Sequence, residues 1–210
     1  MAAAVSVVGG GQPAEHRVWL VDPGIEIPAG ASAVHGITTE RARAEGRSPD
    51  EAVEEITTAL ADQLAQGVPV AFKAHFDLTI LDREARRLGL RPLLDRVGGL
   101  DGMLVVDPYV LDKQFDRFRS GKRTLGAVCE HYRVRFDELH AANADALAAA
   151  RLAFRLGATV PELRDVDLRV LHREQIRWAA EQAASLEEHF QEQGRGERVE
   201  RAWPIVPIRP

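Results

Sequence analysis

Three side chains in the 210-residue sequence could together bind a metal ion and activate a water molecule. His140 and Asp145 lie five residues apart in a stretch that favours a helix, and Asp77 follows an apolar run. Carboxylates suit hard divalent cations, and an imidazole with a pKa of about 6.5 can accept a proton near neutral pH. Hydrolysis by two metal ions normally uses more carboxylates than these. The set therefore predicts half of a metal site.

Composition limits the class of protein. The length and an apolar share of 45% suit one domain with a sizeable core. No segment is apolar enough to span a membrane, and a single cysteine, Cys129, fits a reducing cytoplasm. The net charge of −5 gives no strong basic field. Residues 117–123 form a local basic cluster, which is a solvated loop by default and a phosphate contact as the second interpretation.

The N-terminal part of the chain predicts a hairpin followed by a helix. Residues 2–21 hold two stretches of strand-forming residues around a glycine-rich turn, which favours a β-hairpin. Ser48, Pro49 and Glu51 have the pattern of a helix N-terminus with a capping box. Apolar residues spaced three and four apart continue this helix to Leu64.

The rest of the chain predicts alternating strands and helices, and hence a mixed α/β domain. We expect short apolar strands at residues 68–72 and 103–106. Helices are expected at residues 38–44, 76–88, 93–97, 124–132, 145–156 and 168–190. Residues 194–210 are charged and then proline-rich, so a loosely ordered tail is expected there.

Five blocks of sequence follow one another as they do in a known enzyme family. They are residues 22–38 with His-Gly-Ile-Thr, residues 71–81 (AFKAHFDLTIL), residues 106–108, residues 121–132, and His140-x4-Asp145 with its helix. Over residues 2 to about 157, the chain resembles the DnaQ-like 3′–5′ exonucleases of the histidine-containing DEDD group. It looks most like the epsilon-type subunits of DNA polymerase III.

The resemblance implies a ribonuclease H-like α/β fold with a mixed sheet flanked by helices and a long C-terminal helix. It places the exonuclease domain at residues 1–160, a helical extension at 161–193 and a tail at 194–210. In the family, the first strand carries an Asp-x-Glu motif. No such motif precedes the hairpin, where the first acidic residues are Glu15 and Asp22. The first strand is therefore apparently absent, and we expect it upstream of Met1.

The resemblance also implies roles for the three metal-site residues. Asp77 and Asp145 would bind Mg²⁺ or Mn²⁺ in a two-ion site, and His140 would be the general base. Each has an ordinary structural alternative, because Asp77 could cap a helix and His140 could be a surface histidine. The position of Lys73 departs from the family, which usually has asparagine there. Its ammonium group could balance charge in the metal pocket or point away from it.

The resemblance assigns nucleotide contacts to a second set of residues. His35, Gly36 and Ile37 match the loop that lies against the terminal nucleotide, and Phe76 could stack on a base. The alternatives are a turn histidine at position 35 and a core phenylalanine at position 76. The implied partners are single-stranded or 3′-ended DNA, with RNA possible, and a DNA polymerase subunit, but no membrane.

Three hypotheses account for the missing motif. The natural start lies upstream, or the chain is a non-catalytic member that binds nucleic acid or a protein, or it serves only as an interaction domain. We rank them in that order. The first strand is central in this fold, so its loss would leave backbone groups unpaired. We therefore expect the 210-residue chain to be poorly stable and to have negligible exonuclease activity.

Overall fold

The computed structural model describes residues 2–9, 12–136 and 142–208. The chain begins with an antiparallel hairpin of strands β1 (Ala2–Gly9) and β2 (Gln12–Leu20). Ala2 pairs with Leu20 and Val7 with Glu15, and the register is irregular between Val7 and Gly9. The predicted hairpin is confirmed. Within the described ranges, these two strands are the members of the sheet.

Helices make up most of the remaining described chain. They are α1 (Ala29–His35), α2 (Thr39–Glu45), α3 (Pro49–Gln66), α4 (Ala74–Arg87), α5 (Leu93–Arg96), α6 (Pro108–Phe115), α7 (Leu125–His131), α8 (Ala142–Thr159) and α9 (Leu168–Glu192). The mixed α/β class and the long C-terminal helix are confirmed. Helices α1 and α6 were not predicted. None of the helices in the described ranges has the length and apolarity to cross a membrane.

The two short strands expected after α3 are not formed as strands. Residues 68–72 and 103–106 run side by side but make only one parallel bridge, between Val70 and Val106. Val106 donates its amide to Pro69 (2.9 Å) and accepts from the amide of Ala71 (3.1 Å). Pro69 has no N–H to extend the ladder, and the chain turns into α4 two residues after Ala71. The apolar pattern therefore marks extended segments, of which 103–106 is mostly buried and 68–72 is only partly buried.

The main core lies among α4, α6, α7, α8 and α9. Its fully buried side chains come from segment 103–106 and from four of these helices; they include Met103, Leu111, Val128, Leu152 and Leu156. A smaller core joins the hairpin to α3 through Trp19, Val21 and Ile56. The indole of Trp19 also donates to Glu55 on α3 (3.0 Å). The hairpin is thus held to the domain by its last residues and by β1, whose Ala3 and Val5 pack against this core and which also contacts α8.

The segment after α9 is packed onto the domain rather than loosely ordered at residues 203–206. Trp203 and Ile205 are buried members of the main core. Val206 donates its amide to the Thr79 hydroxyl (3.0 Å) and accepts from the Arg83 guanidinium (2.7 Å). The expectation of a loose tail is wrong for these residues, because a charged and proline-rich composition does not reveal a contact with α4 far back in the chain.

The basic cluster at residues 117–123 is only partly a solvated loop. Asp112 is fully buried, and Arg119 binds it at 2.8 Å. Arg123 binds the same carboxylate. Arg117 and Lys122 stay exposed. The default interpretation is wrong for the two inward-turned arginines, whose charges balance a buried acid.

We predict that the contact of the C-terminal segment with the core stabilises the whole domain. Trp203→Ala should lower the free energy of unfolding by about 3–5 kcal/mol, as for other buried tryptophans. Urea denaturation followed by circular dichroism measures the change. Phe118→Ala is the matched control, because Phe118 is 93% exposed and such changes usually stay within about 0.5 kcal/mol. Similar losses in both variants would contradict the prediction.

Candidate active site

The start of α4 is fixed by a carboxylate from another part of the chain. Lys73 precedes the helix in the left-handed conformation (φ 61°, ψ 46°), which is uncommon for a residue other than glycine. The amides of Lys73 and Ala74 each donate to Asp107 at 2.9 Å. Asp77 lies within the first turn of the helix and does not cap it. The alternative that Asp77 is a helix cap is therefore wrong.

Asp107 is fully buried at the centre of this arrangement. It caps α6 by accepting from the Tyr109 amide (2.9 Å), and it also accepts from the Trp203 indole (3.2 Å). Burial raises the pKa of Asp107, while the hydrogen bonds from Lys73, Trp203, Tyr109 and Ala74 oppose the rise. The Asp107-Pro108 pair is a usual helix start, and that signal could have revealed both α6 and its cap.

Side chains of helix α9 bind the backbone of Asp107 and of Val105. The Gln175 side chain is fully buried; it accepts from the Asp107 amide (2.7 Å) and donates to the Val105 carbonyl (2.9 Å). The His172 ring accepts from the Val105 amide (3.3 Å) and lies against the Trp203 ring, 5.2 Å between centroids. The C-terminal helix thus positions the segment that holds α4.

Asp77 is a carboxylate whose charge is poorly compensated. Its side chain keeps contact with solvent, yet partial burial among its neighbours and the negative charge of Asp107 raise its pKa to about 6. Within the described residues it forms no ion pair. The ammonium group of Lys73 lies 5.1 Å from the centre of the Tyr109 ring and is not among the charges that shift Asp77. Of the two possible roles for Lys73, the structure favours pointing away from the acid.

Asp145 occupies the first turn of α8 and is partly buried. Burial raises the pKa of the Cys129 thiol to about 11, and the charge of Asp145 adds to this rise. Asp145 therefore faces α7, which carries Cys129. His140 lies outside the described residues, so its predicted role as a base stays a prediction.

The residues expected to contact a nucleotide have different exposures. His35 and Gly36 are exposed at the end of α1, where His35 accepts from the Ile37 amide (3.1 Å). Ile37 is buried, with 8% exposure, so its side chain packs into the domain. Phe76 is 61% exposed beside Asp77. The core alternative for Phe76 is wrong, and its ring is available for stacking.

The described residues do not form the predicted metal site. In the described ranges, no three histidine, cysteine or acidic side chains come close enough to hold an ion. Asp77 and Asp145 are oxygen donors of the type that Mg²⁺ and Mn²⁺ prefer. The uncompensated charge of Asp77 fits a cation. Two carboxylates alone do not fit the two-ion arrangement, which therefore remains an expectation.

Helix α8, which carries Asp145, packs against β1, and Leu81 of α4, which carries Asp77, packs against the small core below the hairpin. Residues 2–153 match the exonuclease family described as RNase T. This match covers well over half of the chain, so the chain belongs to the DnaQ-like (DEDDh) exonuclease family. Its fold is ribonuclease H-like, and its domain is that of a hydrolase of phosphodiester bonds. No curated protein matches the chain.

We predict that Asp77 lowers the stability of the metal-free protein at neutral pH. Its pKa rises from 3.8 to about 6 on folding, so the folded state holds the proton more tightly and loses stability as pH rises across that interval. Asp77→Asn removes this titration. The variant should therefore melt at a higher temperature than the wild type at about pH 8, and the difference should shrink towards pH 4.

Thermal melts in a chelating buffer measure this difference across the pH range. Asp62→Asn is the control, because it removes one negative charge from an exposed position of α3. A melting difference for Asp77→Asn that is independent of pH, or equal to that of the control, would contradict the raised pKa.

In separate melts without chelator, Mn²⁺ should raise the melting temperature of the wild type more than that of Asp77→Asn, because a ligand stabilises the state that binds it.

Proposed function

We propose that this protein is a metal-dependent 3′–5′ exonuclease of DNA, similar to the epsilon subunit of DNA polymerase III, acting in the cytoplasm. Its reaction would hydrolyse the terminal phosphodiester and release a nucleoside monophosphate. The observation that carries the proposal is Asp77, an acid without an ion-pair partner in the described residues. It lies inside the region that matches the exonuclease family. A carboxylate of this kind is stabilised by a bound cation.

The roles proposed for the metal-site residues follow from their chemistry. Asp77 and Asp145 would each hold a divalent ion, and exonucleases of this family typically use such ions. When bound, Mg²⁺ or Mn²⁺ would supply a Lewis acid next to the scissile phosphate. His140 would accept the proton of the attacking water. A positioned base of this type contributes roughly 10²–10⁴-fold in rate.

The exposed residues near Asp77 suit the end of a strand. Phe76 offers an aromatic face to the terminal base, a contact that tolerates any sequence. His35 and Gly36 are exposed and would contact the terminal nucleotide. The substrate class is single-stranded or 3′-ended DNA, and a polymerase subunit is the proposed protein partner. RNA is the alternative substrate.

The 210-residue chain has fewer acidic metal ligands than the two-ion reaction normally uses. Its sequence has no Asp-x-Glu before the hairpin, and the described residues hold no group of three histidine, cysteine or acidic side chains that could bind an ion. We therefore expect negligible turnover by this chain alone. A non-catalytic protein that binds nucleic acid or a polymerase is the second candidate. It is favoured by Lys73, which replaces the family's usual asparagine and directs its charge to Tyr109.

The test compares the 210-residue chain with a form extended at its N-terminus by a strand that carries Asp-x-Glu. With Mn²⁺ and a single strand of DNA labelled at its 5′ end, the extended form should shorten the labelled strand stepwise from the 3′ end. The 210-residue chain should show no measurable shortening. His140→Ala in the extended form should slow the reaction by about 10²–10⁴-fold and leave the affinity for the strand unchanged.

His16→Ala is the control, since it removes an exposed histidine from β2 and should leave the rate unaltered. Removal of nucleotides from the 5′ end would refute the proposed polarity. A rate retained in His140→Ala would remove that residue from the role of base. If the extended form binds the strand and never cleaves it, the non-catalytic candidate replaces the exonuclease.

A further inference from the structure

Two ammonium groups converge on one aromatic ring beside the candidate active site. The Nζ atom of Lys73 lies 5.1 Å, and that of Lys113 lies 5.4 Å, from the centre of the Tyr109 ring. Tyr109 is held in place by an edge-to-face contact with Phe72, 5.5 Å between centroids. Its amide and that of Lys73 both donate to Asp107. The three side chains, called here the lysine–tyrosine cluster, therefore start from a rigid backbone.

The positive charge of this cluster is not neutralised by the described part of the protein. Neither Lys73 nor Lys113 forms an ion pair with a described residue. The nearest buried acid to Lys113, Asp112, is already bound by Arg119 and Arg123. Partial burial lowers the pKa of Lys113, and the charges of Arg123 and Lys73 lower it further, while the charge of Asp112 opposes the change. An anion placed at the cluster would relieve this repulsion.

The cluster lies next to Asp77. Lys73 immediately precedes α4, and Asp77 follows four residues later in the first turn of that helix. Both residues adjoin Asp107, which accepts from the Lys73 amide (2.9 Å) and whose negative charge helps to raise the pKa of Asp77. A strand whose terminal phosphate reaches Asp77 would bring a neighbouring phosphate to the lysine–tyrosine cluster.

A groove of mixed polar and apolar lining adjoins the cluster at Lys113, between α6 and α9. Its volume is about 270 Å³, and its lining includes Lys113, Gln114, Arg117, Gln182, Ser185 and His189. Glu181 also borders the groove, but it is bound to Arg177 at 2.7 Å. The groove thus offers hydrogen-bond donors and positive charge next to Lys113.

We propose that the lysine–tyrosine cluster binds a backbone phosphate of the nucleic-acid strand on the 5′ side of the terminal nucleotide, and that the groove receives the following one. This inference rests on the proposed function and names the path of its substrate. Ammonium groups contact phosphates without reading the bases. Binding at the cluster is therefore independent of sequence and is weakened by salt.

The experiment measures binding of a fluorescein-labelled single strand of DNA by anisotropy at increasing NaCl, in EDTA so that no cleavage occurs. For single strands, the slope of log K against log salt falls by about 0.7 for each phosphate contact. Because both lysines contact the same phosphate, Lys73→Gln with Lys113→Gln should make the slope about 0.7 less steep and weaken binding to strands of different sequence alike. Lys73→Arg with Lys113→Arg keeps both charges and should retain the wild-type slope.

Lys122→Gln is the matched control, because it removes an exposed lysine of the loop after α6 and should leave the slope unchanged. An equal effect of Lys122→Gln would overturn the inference, since binding would then follow general surface charge. An unaltered slope in the double glutamine variant, or no binding by the wild type, would also overturn it. Melting curves confirm that each variant is folded.

The proposed function can fail independently of this site. If the double glutamine variant shows the shallower slope while the extended form with Asp-x-Glu never cleaves DNA, the phosphate site stands and the exonuclease assignment falls. If cleavage proceeds and the slope is unaltered in the double glutamine variant, only the phosphate site falls.

Discussion

One buried carboxylate, Asp107, organises the part of the structure that carries the candidate chemistry. Burying a charge costs several kcal/mol unless hydrogen bonds replace its water. Asp107 receives four such bonds, from the amides of Lys73, Ala74 and Tyr109 and from the Trp203 indole. Its own amide is bound by Gln175. The starts of α4 and α6, helix α9 and the C-terminal segment therefore depend on each other.

The same carboxylate shapes the electrostatics of the site. Its charge helps to raise the pKa of Asp77 to about 6. It also accepts from the backbone amide of Lys73, whose ammonium group lies over the Tyr109 ring. The acids Asp77 and Asp107 thus lie near the start of α4, as does the ammonium group of Lys73. The negative charge suits a metal cation and the positive charge suits a phosphate, which is the combination that a phosphodiester substrate with its metal ions presents.

Local sequence patterns predicted those elements that local forces determine. The hairpin, α3 and α9 follow from turn residues, a capping box and apolar spacing. Asp77 and Asp145 were predicted as site residues because the motifs that contain them are short and contiguous. Helix α6 has only eight residues, and its Asp107-Pro108 start was interpreted as the end of a strand. Short apolar runs at 68–72 and 103–106 cannot be distinguished from strands by periodicity alone.

Long-range contacts could not be predicted in this way. The bond from Trp203 to Asp107 joins residues 96 positions apart, and the direction of Lys73 depends on Tyr109, which belongs to another element. Arg119 and Arg123 turn inward because Asp112 is buried, and nothing in their own composition indicates it.

The bond between Trp203 and Asp107 has a consequence for synthesis of the protein on the ribosome. Asp107 and the amides of Lys73, Ala74 and Tyr109 are translated well before the indole that completes their arrangement. The family match ends at residue 153, so a nascent chain that contains only the matched region still lacks this donor. The exonuclease domain therefore reaches its final form only after translation has proceeded well beyond its own boundary.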